Sequence, residues 1–199
     1  MRPLRNGKVK VRPDCGKKMA MTIDETSRDA EIRKLEERAF AYVARYACSE
    51  QRLRRYLERA IRRGGFVPPE QAAPYIGPIV DKLRQLGALD DSAFAHARAQ
   101  SLARCGQGKP SIAARLAADG IDRTRVAASL DDIDAIEAAV RFMQRRRFGP
   151  YRLKAADDST ARRELAAMAR AGHPPDLARR LLGCADDAAL TALVEELSA

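Results

Sequence analysis

Leu89-Asp90-Asp91-Ser92-Ala93-Phe94-Ala95, followed by Gly106-Gln107-Gly108-Lys109-Pro110-Ser111-Ile112 and then by Arg115-Leu116-Ala117-Ala118-Asp119-Gly120-Ile121, reads as a compact helical unit. Asp91 is placed to cap a helix, because its carboxylate can accept from the orphan N–H groups of a first turn. That helix carries Phe94, Ala97 and Leu102 as an apolar stripe. Gly106 and Gly108 end it, since glycine takes the left-handed C-terminal conformation without a Cβ clash. Lys109-Pro110-Ser111 opens a second helix, with proline near its start where the missing N–H costs least. Gly120 stops that helix, and Ile121-Asp122 turns the chain into a third that reaches Leu130.

Working outward, helical periodicity continues on both sides. Upstream, order is expected from about Asp24, with Leu35, Ala39, Phe40, Val43 and Ala47 on one face. Ser49 is a candidate cap for a helix lined by Leu53, Leu57 and Ile61 and ended by Gly64-Gly65. The proline-broken stretch from Val67 to Pro78 reads as loop, and Ile79, Val80, Leu83 and Leu86 as a further helix stopped by Gly87. Downstream, Ile133, Ile136, Val140 and Met143 lead to Arg145-Arg146-Arg147. A polar link from Phe148 to Thr160 precedes a helix with Leu165 and Met168, stopped by Gly172. Pro174-Pro175 opens another with Leu177 and Leu181, and Leu190, Leu193 and Leu197 mark a last one.

Ala39-Phe40-Ala41-Tyr42 recurs as Ala93-Phe94-Ala95-His96 and, less closely, as Ala138-Ala139-Val140-Arg141. Each is followed by a helix ending in glycine, at Gly65, Gly120 and Gly172, and then by a third helix. The expected fold is therefore all-α, an elongated array of three tandem three-helix repeats. The expected boundaries are a basic disordered tail over 1–23, a first repeat with its N-terminal helix over 24–89, a second over 90–131, a third over 132–183, and a C-terminal helix over 184–199.

The 199 residues carry a formal charge of +10, with 46% apolar and only 5% aromatic residues and no Trp. A core of Ala, Leu, Ile and Val suits close helix packing. Residues 1–20 hold seven basic groups and one acid, Asp14, and so supply +6 of the charge. They read as a disordered leader, with Met19 or Met21 as alternative starts, or as a basic arm for nucleic acid. No apolar run has the length of a membrane span, and no signal-peptide core is visible. Cys15, Cys48, Cys105 and Cys184 lie far apart without metal-ligand spacing. The expectation is a cytoplasmic protein with reduced thiols, no membrane association and no metal.

The catalytic inventory is thin. His96 and His173 have no visible nucleophile partner, and bland structural roles suit both. Gly106-Gln107-Gly108-Lys109-Pro110 lacks the first glycine and the closing Ser or Thr of a phosphate loop. Asp131-Asp132-x-Asp134 lacks the glycine and final Glu of a calcium loop. The chain is expected not to be an enzyme and to need no cofactor. What remains is basic surface: Arg52, Arg54, Arg55, Arg59, Arg62 and Arg63 in the first unit, and Arg98, Arg104, Lys109 and Arg115 in the second. Arg145, Arg146, Arg147, Arg162, Arg163, Arg170, Arg179 and Arg180 follow in the third, with Glu50, Glu58 and Glu164 interrupting the series. The guanidinium fork suits phosphate and carboxylate alike, so these residues are candidates for DNA or for an acidic protein surface. Few exposed aromatics are expected among them, which gives base stacking of the single-strand-binding kind little support.

Between Arg38 and Leu182 the sequence resembles the RecX regulators of the RecA recombinase filament. The most specific part is Leu89-Asp90-Asp91-x-x-Phe94-Ala95 with Gly106-x-Gly108-x-x-x-Ile112-x-x-x-Leu116-x-x-x-Gly120-Ile121. Asp91, Phe94, Gly108, Ile112, Leu116 and Gly120 are assigned structural roles. Ser49, Leu53 and Leu57 meet the family's first-unit pattern, and Leu165, Met168 and Gly172 its last. Asp119 stands where the family usually carries a basic residue, and His173 where it usually has an aromatic. The resemblance implies a non-enzymatic regulator, acting as a monomer, that binds the RecA filament on single-stranded DNA and modulates, by inhibition, its ATPase and strand exchange. The alternative is an independent helical DNA-binding module.

Overall fold

The structure is a computed structural model that describes residues 16–64, 72–154 and 157–198, with the backbone alone for 16–28. Among the described residues the architecture is all-α. In order come α1 (Gly16–Arg45), α2 (Glu50–Gly64), α3 (Ala73–Gln85), α4 (Asp91–Arg104), α5 (Lys109–Ala118), α6 (Arg123–Asp131) and α7 (Ala135–Arg146). A 3-10 turn at Gly149–Tyr151 leads to α8 (Asp158–Arg170), α9 (Pro175–Leu182) and α10 (Asp187–Ser198).

Buried side chains fall into three clusters in chain order. Leu35 and Ala39 of α1 meet Leu53, Leu57 and Ile61 of α2 and Ile76, Val80 and Leu83 of α3. Phe94, Ala99 and Leu102 of α4 meet Ile112 and Leu116 of α5 and Val126 of α6, closed by Ile121 and Ile133. Phe142 and Met143 of α7, Met168 of α8 and Leu181 of α9 form the third, completed by Leu190 of α10.

Several local expectations need correction. The backbone is helical from Gly16, ahead of Asp24, since Lys17-Lys18-Met19-Ala20-Met21 are strong helix formers; residues 1–15 of the basic tail lie outside the described residues. The loop expected up to Pro78 gives way to helix at Ala73. Pro74 occupies the first turn, where it forfeits no intrahelical bond, and burial of Ile76 holds the next turn despite Pro78. Leu86 is 62% exposed, because the helix ends there and Leu89 replaces it in the core. Ala97 likewise faces out, and Ala95 and Ala99 complete the stripe of α4. On α7 the buried face is Ala138, Ala139, Phe142 and Met143, while Ile136 and Val140 are half-buried.

Capping is also redistributed. Asp90 caps α4, accepting from the Ser92 and Ala93 amides at 2.9 Å each. Asp91 reaches away from its own helix and accepts from the Glu50 amide at the start of α2, 2.8 Å distant. It thus caps a helix of the preceding cluster, an interaction worth about 1 kcal/mol. Gly108 is extended (φ −77°, ψ 159°) and opens α5; it does not take the left-handed conformation that Gly106 adopts (φ +81°).

The clusters are fastened by two joints of the same chemistry. At the first, the C-terminus of α5 abuts the N-terminus of α2. The cap hydroxyl of Ser49 accepts from the Arg52 amide and donates to the carbonyl of Asp119, the residue that caps α5's C-terminus. At the second, the C-terminus of α8 abuts the N-terminus of α5, and the cap residue Gly108 donates its amide to the Ala171 carbonyl at 2.8 Å. Beyond both C-termini sits a left-handed glycine, Gly120 at φ +87° and Gly172 at φ +90°. Each allows the amide that follows it to close on a carbonyl five residues back, Ile121 to Leu116 and His173 to Met168. A Cβ on Gly120 would run into Gln51 of α2, and one on Gly172 would come within 2.8 Å of the Ser111 amide of α5.

The link after Phe148 is more than a polar spacer. Phe148 and Tyr151 pack on the third cluster and Gly149 is buried. Glu164, taken above as an interruption of a solvated face, is only 4% exposed. Its carboxylate accepts from the Arg152 guanidinium (Nε at 2.8 Å) and from the Gly149 amide at 3.3 Å. A buried carboxylate survives where donors fill its acceptor sites in this way.

Candidate functional site

The α2 sequence sets the surface. Leu53, Leu57, Ala60 and Ile61 turn to the core, so every arginine of the helix is left on its remaining faces. The structure divides fifteen of the eighteen candidate basic residues into two groups; of the others, Arg179 pairs with Asp176 at 2.5 Å and Arg180 with Glu196 at 2.8 Å. The first group serves the fold. Arg54 makes Nε and Nη2 bonds of 3.1 and 2.9 Å to Glu50, while Arg84 of α3 holds the other oxygen of that carboxylate at 2.9 Å. Burial pushes the Glu50 pKa up, but the hydrogen bonds from Arg54 and Arg84 outweigh it and hold it below the ordinary value. Arg52 and Arg98 flank Asp119 at 3.7 and 3.9 Å. An acid at a helix C-terminus opposes the macrodipole, and the two guanidiniums offset that penalty. Arg55 donates to the Ala118 carbonyl at 3.0 Å and Arg145 to the Cys105 carbonyl at 3.3 Å, each across a joint.

The second group is free to meet a partner. Arg59, Arg62, Arg63, Arg104, Arg115, Arg146, Arg147, Arg162 and Arg163 are exposed and form no ion pair among the described residues; Arg63 and Arg162 each donate to a carbonyl one turn back on their own helix, and Arg146 lies over the Phe142 ring. Lys109 is half-buried at the start of α5. Of the hallmark residues, Ile112 and Leu116 are fully buried and Phe94 nearly so.

Sequence reasoning missed an aromatic feature. Tyr42 and Tyr56 stack at 4.2 Å with ring planes 16° apart, and Tyr46 lies 5.3 Å from Tyr42. Three of the chain's five tyrosines thus gather among arginines of α1 and α2, Tyr46 exposed and Tyr42 and Tyr56 half-buried. The signal was legible as the spacing Arg38-x-x-x-Tyr42-x-x-Arg45, which recurs as Arg52-x-x-x-Tyr56-x-x-Arg59.

The two histidines behave as packing residues. His96 meets Asp132 at 2.9 Å on the surface. His173 is 3% exposed in the second joint, beside the Phe142 ring at 5.6 Å. Its Nε2 is 3.0 Å from the Gly106 carbonyl, which can only accept, so Nε2 carries the proton. Nδ1 is buried without a hydrogen-bond partner. Burial lowers the His173 pKa from 6.5, and the bond to Gly106 opposes this only in part. The sign of the linkage follows. Below pH 6.5 the unfolded chain takes up a proton that the folded chain refuses, so acid favours unfolding. Urea titrations should therefore show wild-type stability flat above pH 6.5 and falling below it, relative to a His173→Phe variant without this group. Equal pH profiles for the two proteins would contradict the assignment.

No helix is long and apolar enough to cross a membrane, and no group of three or more His, Cys, Asp or Glu side chains converges as a metal cage, among the described residues.

Comparison with known proteins agrees with this architecture. No protein-family model matches the chain. It is 31% identical over 158 residues to the regulatory protein RecX of Myxococcus xanthus, covering 74% of this chain and 83% of that one. It is 32% identical over 151 residues to regulatory protein RecX of Mycolicibacterium vanbaalenii, covering 71% and 79%. The fold is similar to a crystal structure of regulatory protein RecX, with a TM-score of 0.59 at 16% identity over 90% of this chain and 80% of that one. By this similarity in sequence, over about three quarters of its length, the chain belongs to the RecX family of regulatory proteins.

Proposed function

We propose that this protein is a non-catalytic regulator that binds the RecA recombinase filament on single-stranded DNA and restrains its ATP hydrolysis and strand exchange. The reading takes the three clusters as three tandem repeats, over 24–89, 90–131 and 132–183, with 184–199 as a closing helix. The observation that carries it is the distribution of the free arginines. Arg59, Arg62 and Arg63 stand on the first cluster, Arg104 and Arg115 on the second, and Arg146, Arg147 and Arg163 on the third. The two joints hold these groups on one body. Such an array can touch more than one subunit of a filament and gain by multivalency, without requiring a catalytic group. The protein would act as a cytoplasmic monomer.

The rival reading is an independent helical DNA-binding module, and affinity separates the two. The protein should bind preassembled filaments at concentrations well below those at which it binds the same single strand without recombinase. Equal affinity for filament and naked strand would favour the DNA module.

A further inference from the structure

Tyr42 and Tyr56 pack against the first core cluster, but Tyr46 stands beyond it with half its surface exposed. Arg38, Tyr42, Arg45 and Tyr46 share one stripe of α1, at spacings of four, seven and eight residues. Arg52, Tyr56, Arg59 and Arg63 share one stripe of α2, at four, seven and eleven. The stripes meet where Tyr42 stacks on Tyr56. The three rings form a ladder whose end members are Tyr46, 49% exposed, and Tyr56, half-buried. The Arg45 guanidinium lies over the Tyr46 ring, 5.5 Å from its centre.

Each end of the ladder opens on a basic hollow. One, of about 350 Å³, is lined by Arg38, Tyr56, Ala60, Arg63 and Gly64 and contains no acid. The other, of about 480 Å³, sets Tyr46, Arg52 and Arg98 above an apolar floor that includes Val43 and Phe94. Its only carboxylate, Asp90, already accepts from the Ser92 and Ala93 amides. Arg52 and Arg98 share Asp119 at 3.7 and 3.9 Å, and the buried Arg98 Nε makes no hydrogen bond. Arg38, Arg45, Arg59 and Arg63 have no ion-pair partner among the described residues.

We infer that the Tyr46–Tyr42–Tyr56 ladder and its two hollows form a binding track for the unpaired bases of a single-stranded nucleic acid. Exposed tyrosine faces accept bases by stacking, whatever the base, because every base has a π-face. The unpaired guanidiniums of Arg38, Arg59 and Arg63 take the phosphates, and Arg45 adds a cation to the stack. A duplex offers its phosphates but keeps its bases paired, so it can use only the charges. This goes beyond the proposed filament docking and does not depend on it.

The test uses the full chain without recombinase and a fluorescent oligothymidylate, with a duplex of equal length beside it. Binding should quench tyrosine fluorescence, readable because the chain has no Trp. Tyr46→Ala should weaken binding to the single strand about tenfold, the value of one stacked base, and leave the duplex unchanged. Tyr46→Phe, which keeps the ring and loses the hydroxyl, should bind like wild type. Arg63→Gln should reduce the slope of log affinity against log salt by about 0.7 for the single strand. Helix content by circular dichroism confirms that the variants fold, which the exposure of Tyr46 favours. The inference is overturned if the oligonucleotide produces no quenching, if Tyr46→Ala binds it as tightly as wild type, or if the duplex loses equally. Loss in Tyr46→Phe equal to that in Tyr46→Ala also overturns it, since a hydroxyl contact would then replace stacking. A loss seen only with filaments overturns it too and gives the ladder to a protein partner.

Discussion

Gly108→Ala is expected to destabilise the protein by about 3 kcal/mol or more, far beyond an ordinary surface substitution. The backbone at Gly108 is extended, a conformation alanine adopts freely, so intrinsic strain contributes nothing. The cost is steric. A Cβ there would fall deep inside van der Waals distance of the Gly172 carbonyl, a backbone atom that cannot swing aside as a side chain would. Either the amide of Gly108 withdraws from the Ala171 carbonyl, or the C-terminus of α8 shifts and takes His173 and its bond to Gly106 with it. Differential scanning calorimetry should show a midpoint lowered by roughly 6–12 °C, at about 2–4 °C per kcal/mol for a chain of this size. Gly77→Ala is the internal control. Gly77 lies inside α3 with nothing within 4 Å of an added Cβ, so this substitution should stabilise by about 0.5–1 kcal/mol. A Gly108→Ala protein as stable as wild type would mean that the second joint is not closed as described.

The largest effect on binding should come from reversing free arginines at distant points of the molecule. Arg62→Glu with Arg115→Glu changes two exposed side chains on α2 and α5; Arg162→Glu with Arg163→Glu changes two on α8. None of the four forms an ion pair among the described residues, and none lines the tyrosine ladder. Folding should survive. Each double variant should bind filaments about a hundredfold more weakly or worse, because losing one site also forfeits the effective concentration it gave the other. Affinity for the naked strand should change far less. Filament binding measured by sedimentation at fixed ionic strength distinguishes the cases. Equal losses on naked strand and filament would assign these arginines to plain phosphate contact, and no loss in either would leave them a solvated face.

Much of this molecule was legible because helix periodicity and glycine stops are local signals. Leu53, Leu57 and Ile61, or Ile112 and Leu116, declare a buried face by spacing alone, and all five are fully buried. The misreadings share one cause, which is that sequence spacing does not report what lies across a joint. Asp91 sits within one residue of a cap position, yet its partner is the Glu50 amide, 41 positions away. Gly108 looked like a helix stop because its reason for being glycine, the Gly172 carbonyl, lies 64 positions downstream. Glu164 read as solvated because nothing in its neighbourhood announces that Arg152 and the Gly149 amide will enclose it. Pro74 and Pro78 suggested a loop, where burial of Ile76 and Ile79 overrides the local preference. The candidate site was half legible. Which residues are basic was plain, but which of them are spent on Glu50, Asp119 and the joint carbonyls was not. The tyrosine ladder needed two helices to be laid side by side before it existed at all.

The departures at Asp119 and His173 also gain a physical setting. Asp119 closes the first joint through Ser49 and is balanced by Arg52 and Arg98. His173 fills the second joint beside Phe142, where an aromatic ring of similar size would fit the same space. Both positions belong to the fastening between clusters.

The central claim is that the protein restrains the recombinase filament by binding the filament itself. The most direct measurement is the rate of ATP hydrolysis by RecA filaments on single-stranded DNA as this protein is added, at concentrations below those that bind the naked strand. The account predicts that hydrolysis slows in that range, and that both arginine double variants lose the effect while Tyr46→Ala keeps most of it. Hydrolysis that stays at its starting rate until the protein saturates the DNA would contradict the account.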